Sequence, residues 1–480
     1  MSSMTTLAKV HAMLPGSLLL NISAQDAERL MLSRVGTDSR QIDAGELFIA
    51  LAGERFDAHD FLVDVANSGA GAALVSDAKK CPENLPAVCV SDTRIGLGEL
   101  AKAWRTSHAI PLALVTGSNG KTTVKEMIAS IFRAAAGEAH TLVTKGNLNN
   151  EIGLPLTLLR LRSTDALAVI ELGMNHPGET AQLASIAQAN IALINNAQRE
   201  HQEFMQTVAA VAEEHADVIR ALPKDGIAVF PADSEFSEMW KAAAAGRKVI
   251  DFALTTSHSN SDAVVSGYQL PDRKVLVQAG THSIEIQLNT LGSHNVRNAL
   301  AASAVALAAG ISLEKIKQGL EAFAPVNGRM QVKFSDSKYT LIDDSYNANP
   351  DSVRAAIDAL KQVDGVAWLV LGDMGEVGNQ GPEFHREVGA YAAENEVSKV
   401  FALGEQCLLA KNGFNSAKVS ANSSAIHFEN IEKLILHLHQ ELAAHLASGG
   451  QHLNILVKGS RFMRMERVVQ ALLEEAKTCS

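Results

Sequence analysis

The fold of this chain is decided by residues 110–123, which read IPLALVTGSNGKTT. The apolar run up to Val115 predicts a buried strand, and the residues after the turn have helical spacing. Glycines at positions 117 and 120 let backbone N–H groups approach an anion, and a helix N-terminus adds a partial positive charge. A strand, a glycine turn and a helix in this order predict a loop that binds phosphate groups.

The residue types in this loop indicate how it would hold a nucleoside triphosphate. Lys121 can reach the β- and γ-phosphates, and the hydroxyl of Thr122 can ligate Mg²⁺. The loop departs from the usual pattern, because Val115 stands where a first glycine is expected, five residues before Gly120. We expect ATP and Mg²⁺ as cofactors, and the loop residues predicted to contact the nucleotide are Gly117, Ser118, Asn119, Gly120, Lys121, Thr122 and Thr123.

Length, composition and charge bound the class of protein. The 480 residues exceed what one hydrophobic core usually serves, which predicts two or three domains. A content of 47% hydrophobic and 20% charged residues is typical of a globular protein. The net charge of −11, without a basic run, argues against nucleic acid as a partner.

Targeting signals and cysteines predict a cytoplasmic protein. The N-terminal apolar patch is broken by Pro15 and Gly16, which makes it a poor signal peptide. The alanine-rich stretch 299–310 is too short to span a bilayer, so we expect no membrane insertion. No two cysteines form a C-x-x-C pair, which predicts free thiols in a reducing compartment. The cysteines are Cys81, Cys89, Cys407 and Cys479.

Apolar runs alternate with helix-like stretches, which predicts an α/β protein with parallel sheets. We expect three consecutive domains: residues 1–108, a central parallel-sheet domain with the phosphate loop at 109–325, and a Rossmann-like domain at 326–480. The linker is placed at 324–328, where proline and glycine break the pattern. The predicted strands of the two later domains are 110–115, 168–170, 191–194, 227–230, 339–342, 366–371, 400–403 and 454–457.

Two polar residues follow other predicted strands of the central domain. Glu171 ends the strand at 168–170, and a carboxylate at the carboxyl end of a strand beside a phosphate loop is well placed for Mg²⁺. His201 follows the strand at 191–194. A single loop histidine is more often incidental than a metal ligand, so this position alone decides nothing.

These strings together resemble the Mur ligases and their relatives, the folylpolyglutamate synthases, which use ATP to join a carboxylate to an amine. Residues 116–123 are similar to the shortened phosphate loop of that family, and residues 170–179 (IELGMNHPGE) to its metal-binding stretch. The resemblance implies catalytic roles for Lys121, Glu171 and His201, with a second Mg²⁺ at the histidine.

The resemblance extends to the adenosine side of the site. Residues 292–300 (GSHNVRNAL) are similar to a family segment that lies against adenine, which implies nucleotide contacts for Asn295 and Asn298. An asparagine at this place can equally cap a helix. The family also implies that Arg329 reaches the γ-phosphate and that Asp344 holds the ribose.

Three strings match one branch of the family, which adds D-alanyl-D-alanine to UDP-N-acetylmuramoyl-tripeptide. They are residues 341–350 (LIDDSYNANP), 371–378 (LGDMGEVG) and 457–461 (VKGSR). Residues 37–61 resemble the uridine-nucleotide domain of the same branch more weakly. The substrate contacts that these similarities imply are Ser39, Arg40, Tyr346, Asn347, Asn349, Lys458 and Ser460.

One departure from the family concerns the helix after His201. Several members carry a carbamylated lysine there, as a further negative group near the metals. Residues 211–217 read VAEEHAD and contain no lysine. We expect that Glu214 or His215 takes its place, or that water does.

The implied activity is an ATP-dependent amide ligation in peptidoglycan precursor synthesis, through an acyl phosphate, by a monomeric enzyme. Another Mur ligase is an alternative, although the D-N-P-R string of the enzyme that adds the third residue is not found. A folylpolyglutamate synthase is a second alternative, against which the long first segment argues. A nucleotide-binding regulatory protein without ligase activity is the third; the presence of Lys121, Thr122 and Glu171 argues against it.

Overall fold

Five β-sheets organise this computed structural model, which describes residues 3–53, 56–256, 261–418, 420 and 422–478. Three of the four cysteines lie in these ranges as free thiols, and Cys479 lies outside them. The α/β class, with a central parallel sheet and a Rossmann-like sheet toward the C-terminus, is confirmed. Within the described ranges, no helix is both long and apolar enough to cross a bilayer.

The first segment forms a five-stranded sheet that is parallel except for its first pair. A separate two-stranded antiparallel pair joins Thr5–Thr6 to Met31–Leu32. The strands are Thr5–Thr6, Leu18–Leu20, Met31–Leu32, Val35–Gly36, Leu47–Ile49, Ala72–Val75 and Ala87–Cys89. The α-helices are Leu7–Ala12, Ala24–Arg29, Leu62–Asn67 and Thr93–Thr106, and the 3-10 helices are Ala58–Phe61 and Ala78–Lys80.

The central sheet has six strands that pair in parallel throughout. Its inner strands are buried on both faces, which explains why they read as continuous apolar runs. In sheet order the strands are Lys248–Val249, Ile227–Val229, Ile191–Ile194, Leu112–Thr116, Leu167–Glu171 and Thr141–Val143. The α-helices are Lys121–Ala136, Gly153–Leu158, Glu179–Ala187, Gln202–Met205, Val208–Arg220 and Ser237–Ala244, with a 3-10 helix at Glu138–His140.

A four-stranded sheet follows that the sequence analysis did not predict. Its first pair is parallel and the other two are antiparallel. The strands are Phe252–Leu254, Val265–Gln269, Lys274–Ala279 and His282–Gln287, and the helices Ser293–Ala308 and Leu313–Ala322 come next. The small side chains of the first of these helices are buried, which lets it pack closely in the core shared by both sheets.

The last segment is a six-stranded sheet in which only the edge pair Gln331–Ser335 and Tyr339–Asp344 is antiparallel. Next to them lie, in sheet order, Leu453–Lys458, Val366–Gly372, Lys399–Leu403 and Ser424–Phe428. The helices are Pro350–Lys361, Gly381–Glu394, Cys407–Ala417, Ile431–Ala447 and Glu466–Thr478, with 3-10 helices at Gly378–Gln380 and Arg461–Met463. A 3-10 turn at Arg461–Met463 and the left-handed backbone of Arg464 separate the strand Leu453–Lys458 from the helix Glu466–Thr478.

The strand orders decide which loops meet. In the central sheet the carboxyl ends at Thr116, Glu171 and Ile194 belong to neighbouring strands. In the last sheet Asp344 pairs with Lys458 at the corresponding edge. Polar residues that are far apart in sequence thus collect at two sheet edges, as is common for ligand sites of parallel sheets.

Candidate active site

A cavity of about 730 Å³ lies between the carboxyl edges of the central and last sheets. Most of the predicted site residues line it, and they come from both segments. Predicted residues among its lining are Ser118, Asn119, Gly120, Lys121, Thr122, Thr123, Glu171, His201, Asn295, Asn298, Arg329, Asp344, Tyr346, Asn347, Asn349 and Lys458. Gly117 and Ser460 lie behind this lining, and Ser39 and Arg40 line a different cavity.

The phosphate loop has the backbone that its glycines allow. Gly117 and Gly120 have φ values of 137° and 78°, which residues other than glycine rarely adopt. A Cβ at Gly120 would lie 2.7 Å from Asn298 Oδ1. The helix Lys121–Ala136 begins directly after Gly120 without a side-chain cap from any described residue, so its first N–H groups are available to an anion.

Lys121 is folded back over its own loop. Its Nζ donates to Gly117 O at 2.5 Å and to Ser118 O at 3.3 Å, and it forms an ion pair with Glu200 Oε2 at 3.1 Å. The side chain is 17% exposed and borders the cavity. The ammonium therefore lies within the loop, where phosphate oxygens would compete for it.

Glu171 lies at the first turn of the loop helix. Thr122 Oγ1 donates to Glu171 Oε1 at 3.3 Å, and Asn149 Nδ2 donates to the same oxygen at 2.8 Å. Glu171 Oε2 is buried and has no hydrogen-bond partner among the described residues. A hydroxyl and an unpartnered buried carboxylate oxygen are hard oxygen ligands, so this pair fits a magnesium ion.

Glu200 is a site residue that the sequence analysis missed. It is 6% exposed, and His215 Nε2 lies 3.0 Å from its Oε1. Burial is the largest influence and opposes ionisation, but Lys121, His215 and His201 together outweigh it and lower the pKa of Glu200 to about 2. A carboxylate that stays charged thus lies against the phosphate loop.

His201 lies between the two segments. Its Nδ1 is 2.8 Å from Glu376 Oε2, and its Nε2 is 3.7 Å from Glu200 Oε2. The close contact with His201 lowers the pKa of Glu376. Both side chains line the cavity, and Glu376 belongs to a string that the sequence analysis had singled out.

Glu214, one of the groups expected in place of a carbamylated lysine beside His215 and water, has another role in the structure. Gly178 N and Thr180 N donate to the two oxygens of Glu214, each at 2.9 Å, so this carboxylate caps the helix Glu179–Ala187. His215 is fully buried and lies behind Glu200, with its Nδ1 3.1 Å from Thr116 Oγ1. The negative group facing the loop is therefore Glu200.

Asn295 and Asn298, from the helix Ser293–Ala308, brace the phosphate loop. Asn298 Nδ2 donates to Asn295 Oδ1 at 3.1 Å, and Asn195 Nδ2 donates to Asn298 Oδ1 at 2.9 Å. Asn295 does not cap the helix Ser293–Ala308, since its amide donates to Leu291 O instead. His294 beside them is half-buried and lines the cavity, and loss of solvent around its ring lowers its pKa.

Arg329 reaches the loop from the last segment. Its Nη2 lies 3.3 Å from Thr122 Oγ1, and its guanidinium stacks on the Tyr346 ring at 4.3 Å. Its Nε is buried and has no hydrogen-bond partner in the described part of the chain. A positioned cation with an unused donor is suited to an anionic group in the cavity.

Several predicted contacts of the last segment already have partners in the protein. Lys458 Nζ donates to Asp344 Oδ2 at 2.6 Å and to Asn347 O at 2.8 Å. Ser460 Oγ donates to Ala348 O at 2.9 Å and accepts from Gly375 N at 2.8 Å. These bonds fix the shape of residues 344–349, whatever else they contact.

Asn349 connects the two segments directly. Its Nδ2 donates to Asn119 Oδ1 at 2.8 Å, while its Oδ1 caps the helix Pro350–Lys361 through Ser352 N. A second connection is ionic: Arg199 binds Asp351 at 2.6 Å and Glu387 at 2.7 Å. The last segment is thus held closed over the phosphate loop.

A second cavity, of about 580 Å³, lies in the first segment. Ser39 and Arg40 line it, and the guanidinium of Arg40 binds both oxygens of Asp38 at 2.8 Å. Phe56 and Phe61, 62% and 41% exposed, also line it. It offers polar groups and aromatic faces to a ligand from solvent.

A buried cluster of Asp373, His385 and Cys407 supports the last segment. His385 Nδ1 donates to Gly381 O at 2.7 Å, and its Nε2 accepts from Met374 N at 2.9 Å. Asp373 Oδ1 accepts from Cys407 N at 2.7 Å at the start of a helix. Both ring nitrogens of His385 are bonded within the protein, and burial lowers the pKa of His385 and raises that of Cys407, so the cluster supports the fold and does not bind a metal.

Comparisons with known proteins agree on one family. Residues 32–105 match the model described as "Mur ligase family, catalytic domain", residues 115–306 "Mur ligase middle domain", and residues 328–474 "Mur ligase, glutamate ligase domain". The chain is 38% identical over 462 residues to the UDP-N-acetylmuramoyl-tripeptide--D-alanyl-D-alanine ligase of Escherichia coli (strain K12), which covers 96% of this chain and 98% of that protein.

Solved structures agree with the sequence relatives. A crystal structure of MurF from Acinetobacter baumannii matches with a TM-score of 0.87 at 32% identity, over 98% of this chain and 99% of that chain. MurF from Thermotoga maritima in complex with ADP has the same fold, with a TM-score of 0.79 at 24% identity over 93% of this chain and 98% of that chain. Because three family models and relatives of nearly equal length all match it, the chain belongs to the Mur ligase family.

Proposed function

We propose that this protein joins UDP-N-acetylmuramoyl-tripeptide to D-alanyl-D-alanine at the expense of ATP, in peptidoglycan precursor synthesis. The observation that carries the proposal is the phosphate loop with Lys121, Thr122 and Glu171 at its helix start, faced by Arg329 from the last segment. Full-length relatives that carry this enzyme name support the choice of substrates.

The phosphate loop would bind the triphosphate of ATP. Backbone N–H groups after Gly120 face the phosphates, and Lys121 turns from Glu200 toward the β- and γ-phosphates. Arg329, with its unused Nε, offsets the negative charge that spreads over the phosphoryl group during transfer. Asp344 and His294 border the cavity on the side assigned to the nucleoside.

Mg²⁺ would be held at two places in the cavity, at one by Thr122 and Glu171 and at the other by His201. When bound, it neutralises phosphate charge and helps to orient the phosphoryl group. The fit rests on Glu171 Oε2, a buried oxygen without a partner among the described residues.

The reaction proceeds in two transfers. The terminal carboxylate of the tripeptide attacks the γ-phosphorus, which gives an acyl phosphate and ADP. The amine of D-alanyl-D-alanine then attacks the carbonyl carbon, the amide forms, and phosphate leaves. The amine must lose a proton first, because its free pKa is about 8. Holding the reactants in line supplies up to roughly 7–11 kcal/mol of the barrier reduction.

The closed arrangement supports this chemistry. The contacts of Asn119 with Asn349 and of Arg199 with Asp351 close the last segment over the loop, which limits the water that would hydrolyse an acyl phosphate. Tyr346, Asn347, Asn349, Lys458 and Ser460 are proposed to shape the dipeptide site, in part through their bonds to one another.

The first segment would bind the uridine end of the acceptor. Ser39 and Arg40 line the second cavity with polar groups, and the exposed rings of Phe56 and Phe61 suit a planar base. We further propose three domains, at 1–108, 109–325 and 326–480, and a monomer in the cytoplasm, where ATP is available and free thiols such as those of Cys81 and Cys89 persist.

The decisive experiment measures ADP release with ATP, Mg²⁺ and both substrates, and then with each substrate left out. We expect turnover only with both present, and an amide product by mass spectrometry. Lys121→Ala should abolish ligation while circular dichroism stays unchanged, and Lys102→Ala, an exposed lysine of the first segment, is the control. A nucleotide-binding protein without ligase activity would bind ATP and show no acceptor-dependent ADP release.

A further inference from the structure

Glu200 is a buried carboxylate beside the phosphate loop whose two oxygens face different partners. Oε1 lies 3.0 Å from His215 Nε2, while Oε2 lies 3.1 Å from Lys121 Nζ and 3.7 Å from His201 Nε2. The residue is 6% exposed. A carboxylate buried so deeply is stable only while a cation or hydrogen-bond donors compensate its charge.

His215 fixes the orientation of this carboxylate. Because an ionised carboxylate only accepts hydrogen bonds, the facing Nε2 carries a proton. In the neutral ring Nδ1 then accepts from Thr116 Oγ1, 3.1 Å away at the end of a central strand. The strand and the histidine together aim Oε2 of Glu200 toward the loop.

Lys121 compensates that oxygen while it is folded back over the loop. It also donates to Gly117 O at 2.5 Å and to Ser118 O at 3.3 Å. A triphosphate on the loop attracts the same ammonium. Glu200 then faces a polyanion with its compensating charge drawn away, and like charges in a region of low dielectric repel strongly.

We propose that Glu200 is a ligand of a divalent cation in the nucleotide-loaded site, shared with His201, and that His215 is the positioning residue that aims it. A carboxylate oxygen and an imidazole nitrogen are both cation ligands, and these two are near enough for one ion to bind both. Glu171, which lines the same cavity and is 2% exposed, has a second buried carboxylate oxygen, Oε2, without a partner among the described residues, as a site for cations requires. The proposal rests on the proposed function, because it requires a bound triphosphate.

Cation binding can be measured apart from turnover. The protein is saturated with a non-hydrolysable ATP analogue, and free Mn²⁺ is counted by electron paramagnetic resonance during a titration. We expect two bound Mn²⁺ in the wild type and one site weakened about 10- to 100-fold in Glu200→Gln. The exposed Glu213→Gln, on the same helix as His215, is the matched control and should bind like the wild type.

Variants of His215 separate positioning from simple structural support. His215→Gln keeps an N–H group that can donate to Glu200, so it should retain much of the Mn²⁺ affinity. His215→Leu removes the donor and should weaken the same Mn²⁺ site as Glu200→Gln does. If both His215 variants bind Mn²⁺ as the wild type does, the positioning role is wrong.

Two results would overturn the assignment of Glu200. The first is unchanged Mn²⁺ binding in Glu200→Gln. The second is a loss of ATP-analogue affinity in Glu200→Gln that is as large in EDTA as it is with Mn²⁺, which would mean that Glu200 acts on Lys121 alone. If Glu200→Gln does not fold, Glu200→Asp keeps the charge but withdraws the oxygen, and it must show the weakened site. Failure of the proposed function would look different: the wild type would bind Mn²⁺ and analogue but form no amide.

Discussion

Arg199 offers the sharpest test of how the closed arrangement is held. Its guanidinium binds Asp351 at 2.6 Å and Glu387 at 2.7 Å, and its backbone N–H donates to Asp351 at 2.9 Å. The three side chains are only 20%, 22% and 29% exposed. These pairs join the loop after a central strand to two helices of the last segment, so they exist only when the segments are together.

The cost of Arg199→Gln can be worked from this geometry. Removing one partner of a fully buried pair costs about 3–5 kcal/mol, whereas an exposed pair contributes about 0–1 kcal/mol. Arg199 lies between these limits, and Glu387 keeps Arg354 at 2.8 Å, so we expect about 2 kcal/mol. Since about 1.4 kcal/mol is tenfold, kcat/KM for ATP should fall about 30-fold.

The assay is steady-state ADP release with both substrates present. Arg220→Gln is the control, because Arg220 is 42% exposed and pairs with Glu213 and Asp217 inside one helix, and its kcat/KM should hardly change. The double variant Arg199→Gln with Glu387→Gln should cost less than the sum of the two single variants. A fall below about 3-fold, or costs that simply add, would refute the role of this ion pair.

Three further predictions address other parts of the molecule. Gly120→Ala should lower the affinity for an ATP analogue at least about tenfold in calorimetry, because a φ of 78° costs L residues about 1–2 kcal/mol and the new Cβ would lie 2.7 Å from Asn298 Oδ1. Undiminished affinity would contradict the loop geometry. Glu214→Gln should lower thermal stability by about 1 kcal/mol through its lost helix cap and leave the Mg²⁺ dependence of turnover unchanged; a shifted Mg²⁺ requirement would show that it serves the site after all. Burial lowers the pKa of His294 and His385 from the ordinary 6.5, so the unfolded chain binds more protons than the folded chain below that pH. The free energy of unfolding should therefore fall as the pH falls below about 6.5. In denaturant titrations, His385→Gln should reduce the slope of unfolding free energy against pH. An unchanged slope in that variant would remove His385 as a cause.

The parallel sheets could be predicted from the sequence because both faces of their inner strands are buried. Such strands read as uninterrupted apolar runs, and the strand at Ile191–Ile194 was predicted with its observed ends. The strand predicted at 110–115 is observed at Leu112–Thr116, since Pro111 has no N–H for the ladder. The sheet at 252–287 was missed because its strands alternate weakly and carry many polar residues on the exposed face.

The phosphate loop was predictable because its chemistry lies within a few consecutive residues. Glu200 and Asn149 were not, because their roles depend on which strand ends are neighbours, and sheet order cannot be read from one sequence. The loop KGNLNN at 145–150, after the strand Thr141–Val143, was the available signal for Asn149. The choice between Glu214 and His215 depended on helix phase, since adjacent residues of a helix point about 100° apart.

The segment 195–201, after the central strand Ile191–Ile194, contacts the phosphate loop, the helix Ser293–Ala308 and the last segment. Asn195 bonds Asn298, and both Asn196 and Gln198 bond Asn119. Arg199 pairs with Asp351 of the last segment, Glu200 with Lys121, and His201 with Glu376. Deleting a single residue would therefore displace all of these partners by one position at once. The length of this segment is consequently under stricter constraint than the identity of any one side chain in it.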